Sequence, residues 1–187
     1  MCYLKGNLFL SNIGKKLTIE AVILAGGQSR RMGQDKTRLR VGRRTLLGHA
    51  RRVAEQLDLP CRVIKVDYQS GFGPIGGIQT ALRRANAQRV LFLCCDMPFL
   101  TSALVEKLLA LEGPVLFTEA DGMAGFPFCL NPHLLPEVDR RIEMGELSLQ
   151  NLARALGQMV HVPESDWPQL TNINTPKQLA AARARLQ

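Results

Sequence analysis

Apolar residues recur along the chain in two alternating patterns, short continuous runs and longer stretches with helical spacing. The runs at 18–24 and 89–95 are mostly apolar, the run at 61–67 mixes apolar and charged residues, and a glycine or an aspartate stands at or just beyond the end of each. Such runs are typical of strands buried on both faces of a parallel sheet. Segment 45–57 instead carries apolar residues every three or four positions, which predicts a helix. This alternation predicts a three-layer α/β fold with a mostly parallel central sheet.

The remaining segments continue the same alternation to the end of the chain. Further helices are predicted at 78–87, 101–111, 132–142 and 148–157, and further strands at 114–118, 125–130 and 159–162. Pro127 places its strand at a sheet edge or at a bulge, because proline lacks an N–H for the ladder. Thr175, Pro176 and Gln178 form a capping-box pattern that starts the last helix.

Length and composition fit one globular domain. Of the 187 residues, 46% are hydrophobic and 21% are charged, which is the balance of an ordinary folded chain. We assign residues 17–187 to this domain and residues 1–16 to an N-terminal extension. No apolar run approaches the roughly 20 residues that a membrane-spanning helix needs.

The cysteine pattern indicates a reducing compartment. The five cysteines include no C-x-x-C spacing, and Cys94 and Cys95 lie inside an apolar run. A disulfide framework and a zinc site are therefore not expected, and buried thiols in the cytoplasm are.

The formal charge of +8 favours anionic ligands. Its densest cluster, between positions 30 and 52, overlaps a glycine-rich segment at 24–36 (LAGGQSRRMGQDK). Aromatic residues are few and do not alternate with these cations, which argues against binding of single-stranded nucleic acid. A small phosphate-rich ligand is the expected partner.

Polar or glycine residues follow each of the first three predicted strands. Gly26, Asp67 and Asp96 stand at or just beyond the three strand ends. Because parallel strands present their carboxyl ends at one edge of the sheet, where α/β proteins bind ligands, these residues should converge. The sequence therefore predicts a binding site at this edge.

Each of these features has a chemistry suited to phosphate. The Gly26–Gly27 turn exposes backbone N–H groups to an anion, and Arg31 and Lys36 add positive charge that neutralises a leaving pyrophosphate. The carboxylate of Asp96 is a ligand of the kind that Mg²⁺ shares with phosphate oxygens.

Two further segments have polar groups suited to the same ligand. Gly76 and Gly77 open a predicted helix, whose N-terminus would let a base or ribose lie against the backbone. Asn172 and Asn174 flank an inward Ile173, and their amides are suited to a metal, a phosphate or a substrate carbonyl.

These segments together resemble the molybdenum cofactor guanylyltransferases, a family within the nucleotidyltransferases. Segment 24–36 resembles the family pattern L-A-G/A-G-x-S-x-R-M-G-x-x-K. Segments 73–77 (GPIGG), 95–98 (CDMP) and 172–176 (NINTP) resemble its G-P-L-x-G, C-D-M-P and N-x-N-T-P motifs. The four motifs occur in the family's order and cover the chain from about residue 18 to its end.

The resemblance implies a Rossmann-like nucleotidyltransferase fold, Mg²⁺ as cofactor, and GTP and molybdopterin or molybdenum-molybdopterin as substrates. It implies no nucleic-acid or membrane partner and allows transient contact with molybdenum enzymes; the oligomeric state is left open. It makes Arg31, Lys36 and Asp96 the catalytic residues and places Asn172 and Asn174 on the molybdopterin side. The implied nucleotide-binding residues are Leu24, Ala25, Gly26, Gly27, Ser29, Lys36, Asp67, Gly76, Gly77 and Asp96.

One region departs from the family pattern. Between Leu57 and Gly73 there is room for one strand only, and the family's nucleotide-binding asparagine is missing there. Related activities are therefore alternatives: a CTP-dependent or other small-phosphate nucleotidyltransferase, and a catalytically reduced nucleotide-binding protein. The CTP-dependent relatives tend to have L-A-A-G where this chain has L-A-G-G, which favours GTP.

Overall fold

A six-stranded sheet in the order β4-β1-β5-β7-β6-β8 forms the centre of the computed structural model, which describes residues 17–26, 35–65 and 71–185. Only β7 runs against the other five strands, so the predicted mostly parallel sheet is confirmed. The sheet strands are β1 (Ile19–Leu24), β4 (Cys61–Ile64), β5 (Arg89–Cys94), β6 (Val115–Ala120), β7 (Met123–Leu130) and β8 (Gln158–His161). A separate hairpin consists of β2 (Arg40–Val41) and β3 (Arg44–Thr45).

Helices cover both faces of the sheet and complete the three predicted layers. Alternate residues of β1 point to opposite faces, so that Ala21 and Ile23 pack with α1 and α3 while Val22 packs with α2, α4 and α5. The helices are α1 (Leu46–Gln56), α2 (Gly73–Arg83), α3 (Ser102–Leu109), α4 (Leu135–Glu143), α5 (Leu149–Leu156) and α6 (Pro176–Arg185). No helix of the described residues is long and apolar enough to cross a bilayer.

Two predicted helix starts are confirmed by their capping hydrogen bonds. The hydroxyl of Thr101 accepts from the N–H of Leu104 at the start of α3. At α6 the hydroxyl of Thr175 accepts from the N–H of Gln178, whose side-chain oxygen accepts from the N–H of Asn174 at 2.8 Å. These bonds satisfy N–H groups that have no partner within the helix.

One prediction of local structure is wrong, and another holds in one of its two alternatives. The helix predicted to start at residue 78 begins at Gly73 and ends at Arg83, because Pro74 suits the first turn of a helix and continues it from there. The strand that contains Pro127 lies between β5 and β6 and is not at an edge. The bulge alternative holds instead, since the β6–β7 register shifts between Phe117 and Thr118, opposite the proline.

Besides the two hydrophobic clusters on the faces of the sheet, a third hydrophobic cluster joins the β2–β3 hairpin to α6. It consists of Leu39, Val41, Leu46, Ile173, Leu179 and Ala182, all less than 9% exposed. Apolar burial here holds together segments more than 120 positions apart in sequence. The predicted N-terminal extension, residues 1–16, lies outside the described residues.

Replacing Gly157 with Ala is expected to lower the free energy of unfolding by about 2 kcal/mol, as overpacking in a core does. A Cβ there would lie 2.6 Å from the carbonyl oxygen of Ala153 and 2.8 Å from Cδ2 of Phe117, which is closer than van der Waals contact. Urea denaturation measures the change. Gly125→Ala is the matched control, because its Cβ would meet no atom within 4 Å, and equal stability of the two variants would contradict the prediction.

Candidate active site

The carboxyl ends of β4, β1 and β5 meet at one edge of the sheet, as predicted. Leu24, the last residue of β1, is in register with Ile64 of β4 and with Cys94 of β5. Just beyond it, Gly26 is exposed, and Asp96 follows β5 by two positions. Four predicted site residues lie outside the described residues: Gly27, Ser29, Arg31 and Asp67.

Three predicted residues form one cluster of charged and polar atoms at this edge. The ammonium nitrogen of Lys36 lies 2.6 Å from Oδ2 of Asp96 and 2.6 Å from Oδ1 of Asn174. Both side chains of the ion pair are largely buried, with 13% of Lys36 and 19% of Asp96 exposed. The family resemblance implies that Asn174 lies on the molybdopterin side, which stays a prediction; in the structure Asn174 contacts Lys36.

A capped turn presents Lys36 to this cluster. Lys36 begins the short 3₁₀ helix Lys36–Arg38, and Asp35 accepts hydrogen bonds from the hydroxyl and the N–H of Thr37 at 2.6 and 2.9 Å. These two bonds hold the pKa of Asp35 below its ordinary value, because they favour the ionised carboxylate. Leu39, the next residue along the chain, is buried in the third cluster and anchors the turn.

The other two members of the cluster are tied together through the backbone. The N–H of Ile173 donates to the carbonyl oxygen of Asp96 at 2.9 Å, and the Ile173 side chain is fully buried. Asn174 follows directly, with its own N–H held by Gln178. The neighbouring Asn172 is exposed. The start of α6 therefore completes a site whose other parts come from the first hundred residues.

The ammonium group of Lys36 is suited to holding a phosphate. It has three N–H donors, and Asp96 and Asn174 accept from two of them. The third is left for an oxygen atom of a ligand, and its direction is fixed because the other two are held. A charge-assisted bond of this kind is about twice as strong as a neutral one.

The carboxylate of Asp96 fits a divalent cation that is shared with phosphates. Its Oδ1 atom is buried and has no hydrogen-bond partner among the residues that the structure describes. The same residues contain no group of three His, Cys, Asp or Glu side chains able to hold a metal. A cation at Asp96 would therefore need phosphate and water oxygens, which is the usual arrangement for Mg²⁺.

The two cysteines before Asp96 are poor nucleophiles. Burial, and secondarily the adjacent Asp96 carboxylate, raises the pKa of Cys95 to about 11 and that of Cys94 well above its ordinary value. Because only the thiolate is reactive, both stay inert near neutral pH. The charged groups of the cluster are instead suited to charge neutralisation and positioning.

The glycines at the start of α2 divide into an open pair and a buried pair. Gly76 and Gly77, the predicted ligand contacts, lie buried within the helix. Gly71 and Gly73 have φ angles of +98° and +56°, and an added Cβ on either would meet nothing within 4 Å. The backbone at these two positions is therefore open to a ligand. The sequence feature that could have indicated this is the pair of glycines, two positions apart, just before Pro74.

Comparison with known proteins identifies the family. The model of the MobA-like NTP transferase domain matches residues 21–64 and 50–162. A molybdenum cofactor guanylyltransferase of Ectopseudomonas mendocina is 31% identical over 181 residues, which cover 86% of this chain and 90% of the relative. One of Shewanella halifaxensis is 31% identical over 184 residues, with 86% and 91% covered.

Solved structures share the fold at lower identity. Molybdopterin-guanine dinucleotide biosynthesis protein A from Archaeoglobus fulgidus superposes with a TM-score of 0.67 at 21% identity, covering 89% of this chain and 97% of that one. A 2-C-methyl-D-erythritol 4-phosphate cytidylyltransferase from Thermus thermophilus gives 0.67 at 16% identity, with 91% and 99% covered. With the family model spanning most of the sheet and relatives at 31% identity over most of its length, the chain belongs to the MobA-like family of nucleotidyltransferases.

Proposed function

We propose that this protein transfers GMP from GTP to molybdenum-bound molybdopterin, with release of pyrophosphate and with Mg²⁺ as cofactor. The observation that carries the proposal is the cluster of Lys36, Asp96 and Asn174 at the carboxyl edge of a nucleotidyltransferase sheet. The guanylyltransferase names of the relatives support GTP and molybdopterin as the substrates. Buried thiols at Cys94 and Cys95 support the cytoplasm as the compartment.

In this proposal the terminal phosphate of molybdopterin attacks the α-phosphorus of GTP. A new P–O bond forms to the attacking oxygen as the bond to the β-phosphate oxygen breaks, and pyrophosphate leaves with that oxygen. Mg²⁺ held by Asp96 and phosphate oxygens would neutralise part of the phosphate charge. Lys36 donates its third N–H to a phosphate oxygen. Its positive charge stabilises the negative charge that develops on the leaving pyrophosphate.

The protein contributes mainly by holding the two substrates in line. Gly26, two residues beyond β1, and Gly71 and Gly73, at the start of α2, are exposed, and their backbone is suited to the nucleotide. Asn172 lies exposed beside Asn174 and is suited to the acceptor. Alignment of this kind lowers the barrier by several kcal/mol without a covalent intermediate on the protein.

Pyrophosphate release tests the proposal. Purified protein is mixed with molybdenum-bound molybdopterin and Mg²⁺, and with GTP, CTP, ATP or UTP in separate reactions. We expect product with GTP at least tenfold above that with CTP and none when Mg²⁺ is chelated. The choice of nucleotide base is the most decisive part of the test. Among the described residues only β4 lies between α1 and α2, in the region where the family's nucleotide-binding asparagine is missing. Equal or greater turnover with CTP would instead assign the chain to cytidylyl transfer.

Asn174→Ala is expected to lower kcat/KM for GTP by about tenfold, since a hydrogen bond to a charged group contributes about 1.5 kcal/mol. The reason is that the Lys36 ammonium loses its bond to Oδ1 and becomes free to rotate. Asn172→Ala is the matched control because it removes the same amide two positions away. With the acceptor saturating, we expect it to leave kcat/KM for GTP unchanged, and an equal loss of kcat/KM in both variants would contradict this separation of roles.

A further inference from the structure

The positive charge of this protein is concentrated on two segments. Residues 36–45 and 176–185 contain eight of the 24 Lys and Arg residues and none of the 16 Asp and Glu residues. The rest of the chain contains 16 Lys and Arg residues and 16 Asp and Glu residues, whose charges cancel. These two segments therefore account for the whole formal charge of +8. Apart from Lys36 their cations are exposed, and we call them the basic collar: Arg38, Arg40, Arg43, Arg44, Lys177, Arg183 and Arg185.

The two halves of the basic collar form one surface. The guanidinium Nε of Arg183 donates to the carbonyl oxygen of Arg40 at 2.9 Å, which joins α6 to the β2–β3 hairpin. Beneath them the third hydrophobic cluster packs the hairpin against α6. Charges from the two ends of the chain therefore add together in one place.

The basic collar starts at the active site. Lys36 lies at the beginning of one segment, and Asn174 lies two residues before the other, and these two side chains are in contact. Arg38 is two residues from Lys36, and Lys177 is three from Asn174. The exposed cations thus extend outward from the ammonium group that would hold phosphate.

The cations of the basic collar are not held in salt bridges among the described residues, although Arg38 interacts with the nearby Asp35 carboxylate. Among the described residues none of its seven cations forms a salt bridge, whereas some cations elsewhere pair with acids, as Arg62 does with Glu20 and Arg83 with Asp139. Unpaired charges of one sign produce a field that extends into the solvent over about a Debye length, roughly 10 Å at 0.1 M salt. Such fields raise the association rate of oppositely charged ligands by about 10- to 1,000-fold.

We propose that the basic collar captures the nucleoside triphosphate substrate by long-range attraction and guides it to Lys36. The inference rests on the proposed function, because it takes a polyanionic nucleotide as the ligand of the site. The basic collar then acts on the rate of nucleotide association and not on the bound complex, since its side chains lie outside the cluster that holds the phosphates. The Phe99 ring beside the collar offers little for stacking of bases, because the Arg185 guanidinium lies over it at 4.2 Å from the ring centroid.

Stopped-flow measurement of binding of a fluorescent GTP analogue, with Mg²⁺ present, tests the proposal. The variant Arg38→Gln/Arg44→Gln is compared at 0.1 M and 1 M ionic strength with Arg84→Gln/Arg154→Gln, which removes two exposed cations outside the collar. At 0.1 M we expect the first variant to lower the association rate on the order of threefold and the control to leave it unchanged. At 1 M, where the Debye length is about 3 Å, the difference should vanish. The dissociation rate should be that of the unaltered protein throughout.

The outcomes separate this inference from the proposed function. Absence of GTP binding in all forms would reject the proposed function together with the inference. Normal GTP binding with equal association rates in the two variants would reject the inference alone, as would a change confined to the dissociation rate. A 20-base-pair DNA that binds at 0.15 M salt and loses affinity only in Arg38→Gln/Arg44→Gln would assign the surface to nucleic acid and overturn the proposal.

Discussion

Asp96→Asn is expected to lower nucleotidyl transfer by about 1,000-fold, comparable to the loss of one preorganised electrostatic contact at a reaction centre. The amide keeps the shape of the carboxylate but removes its charge, so Lys36 loses its ion-pair partner at 2.6 Å and the proposed Mg²⁺ loses its protein ligand. The backbone bond between Asp96 and Ile173 does not involve the side chain and should persist. The fold should therefore remain, with a thermal midpoint within a few degrees of that of the unaltered protein.

Steady-state pyrophosphate release over a range of Mg²⁺ concentrations measures this effect. Asp121→Asn is the matched control, because Asp121 lies in the exposed turn between β6 and β7 at a φ of +52°, which asparagine tolerates well. It should retain full activity. Turnover of Asp96→Asn within tenfold of normal, at any Mg²⁺ concentration, would remove Asp96 from the metal-binding role.

Lys36→Met is expected to lower kcat/KM for GTP by about 100-fold or more, on the scale of lost transition-state charge stabilisation. Methionine keeps a long apolar side chain but removes the positive charge and all three N–H donors. The variant also leaves the largely buried carboxylate of Asp96 without its cation, so we expect a loss of about 3 kcal/mol in the free energy of unfolding. Activity and stability should therefore both fall.

The double variant Lys36→Met/Asp96→Asn separates these two effects. It removes both charges, so the unfolding free energy should recover toward the normal value while turnover stays as low as in the single variants. Such non-additivity is expected for residues in direct contact. Lys107→Met is the control, because its ion pair with Asp166 lies at the surface, with 70% of the lysine side chain exposed, and exposed pairs contribute little. Recovery of turnover in the double variant, or normal turnover in Lys36→Met, would contradict the proposed role of Lys36.

Elements with a strong local signal were predicted well from the sequence. The apolar runs that became β1 and β5, the helical spacing of α1 and the caps at Thr101 and Thr175 depend on neighbours within a few positions. The β2–β3 hairpin escaped prediction, because each strand has two residues and arginines interrupt the apolar pattern. The start of α2 was misplaced because glycines look like a loop, although burial against the sheet holds them in a helix.

The candidate site was predicted in part. The positions of Gly26 just beyond β1 and of Asp96 just beyond β5 followed from the rule that parallel strands end at one edge. The contact between Lys36 and Asn174 did not, since the two residues are 138 positions apart. No local pattern relates them, and a shared hydrophobic cluster beneath them brings them together.

The sequence by itself therefore determined the class of fold, the edge of the sheet where the candidate site lies and the presence there of residues suited to phosphate. These properties depend on short-range patterns, because periodicity, caps and glycine turns act within one element. The tertiary structure decided which residues share a contact: that Asn174 holds Lys36 and that cations from both ends of the chain form one basic collar. Those contacts depend on burial of Leu39, Ile173 and Leu179 in a common cluster, a property that no single segment contains.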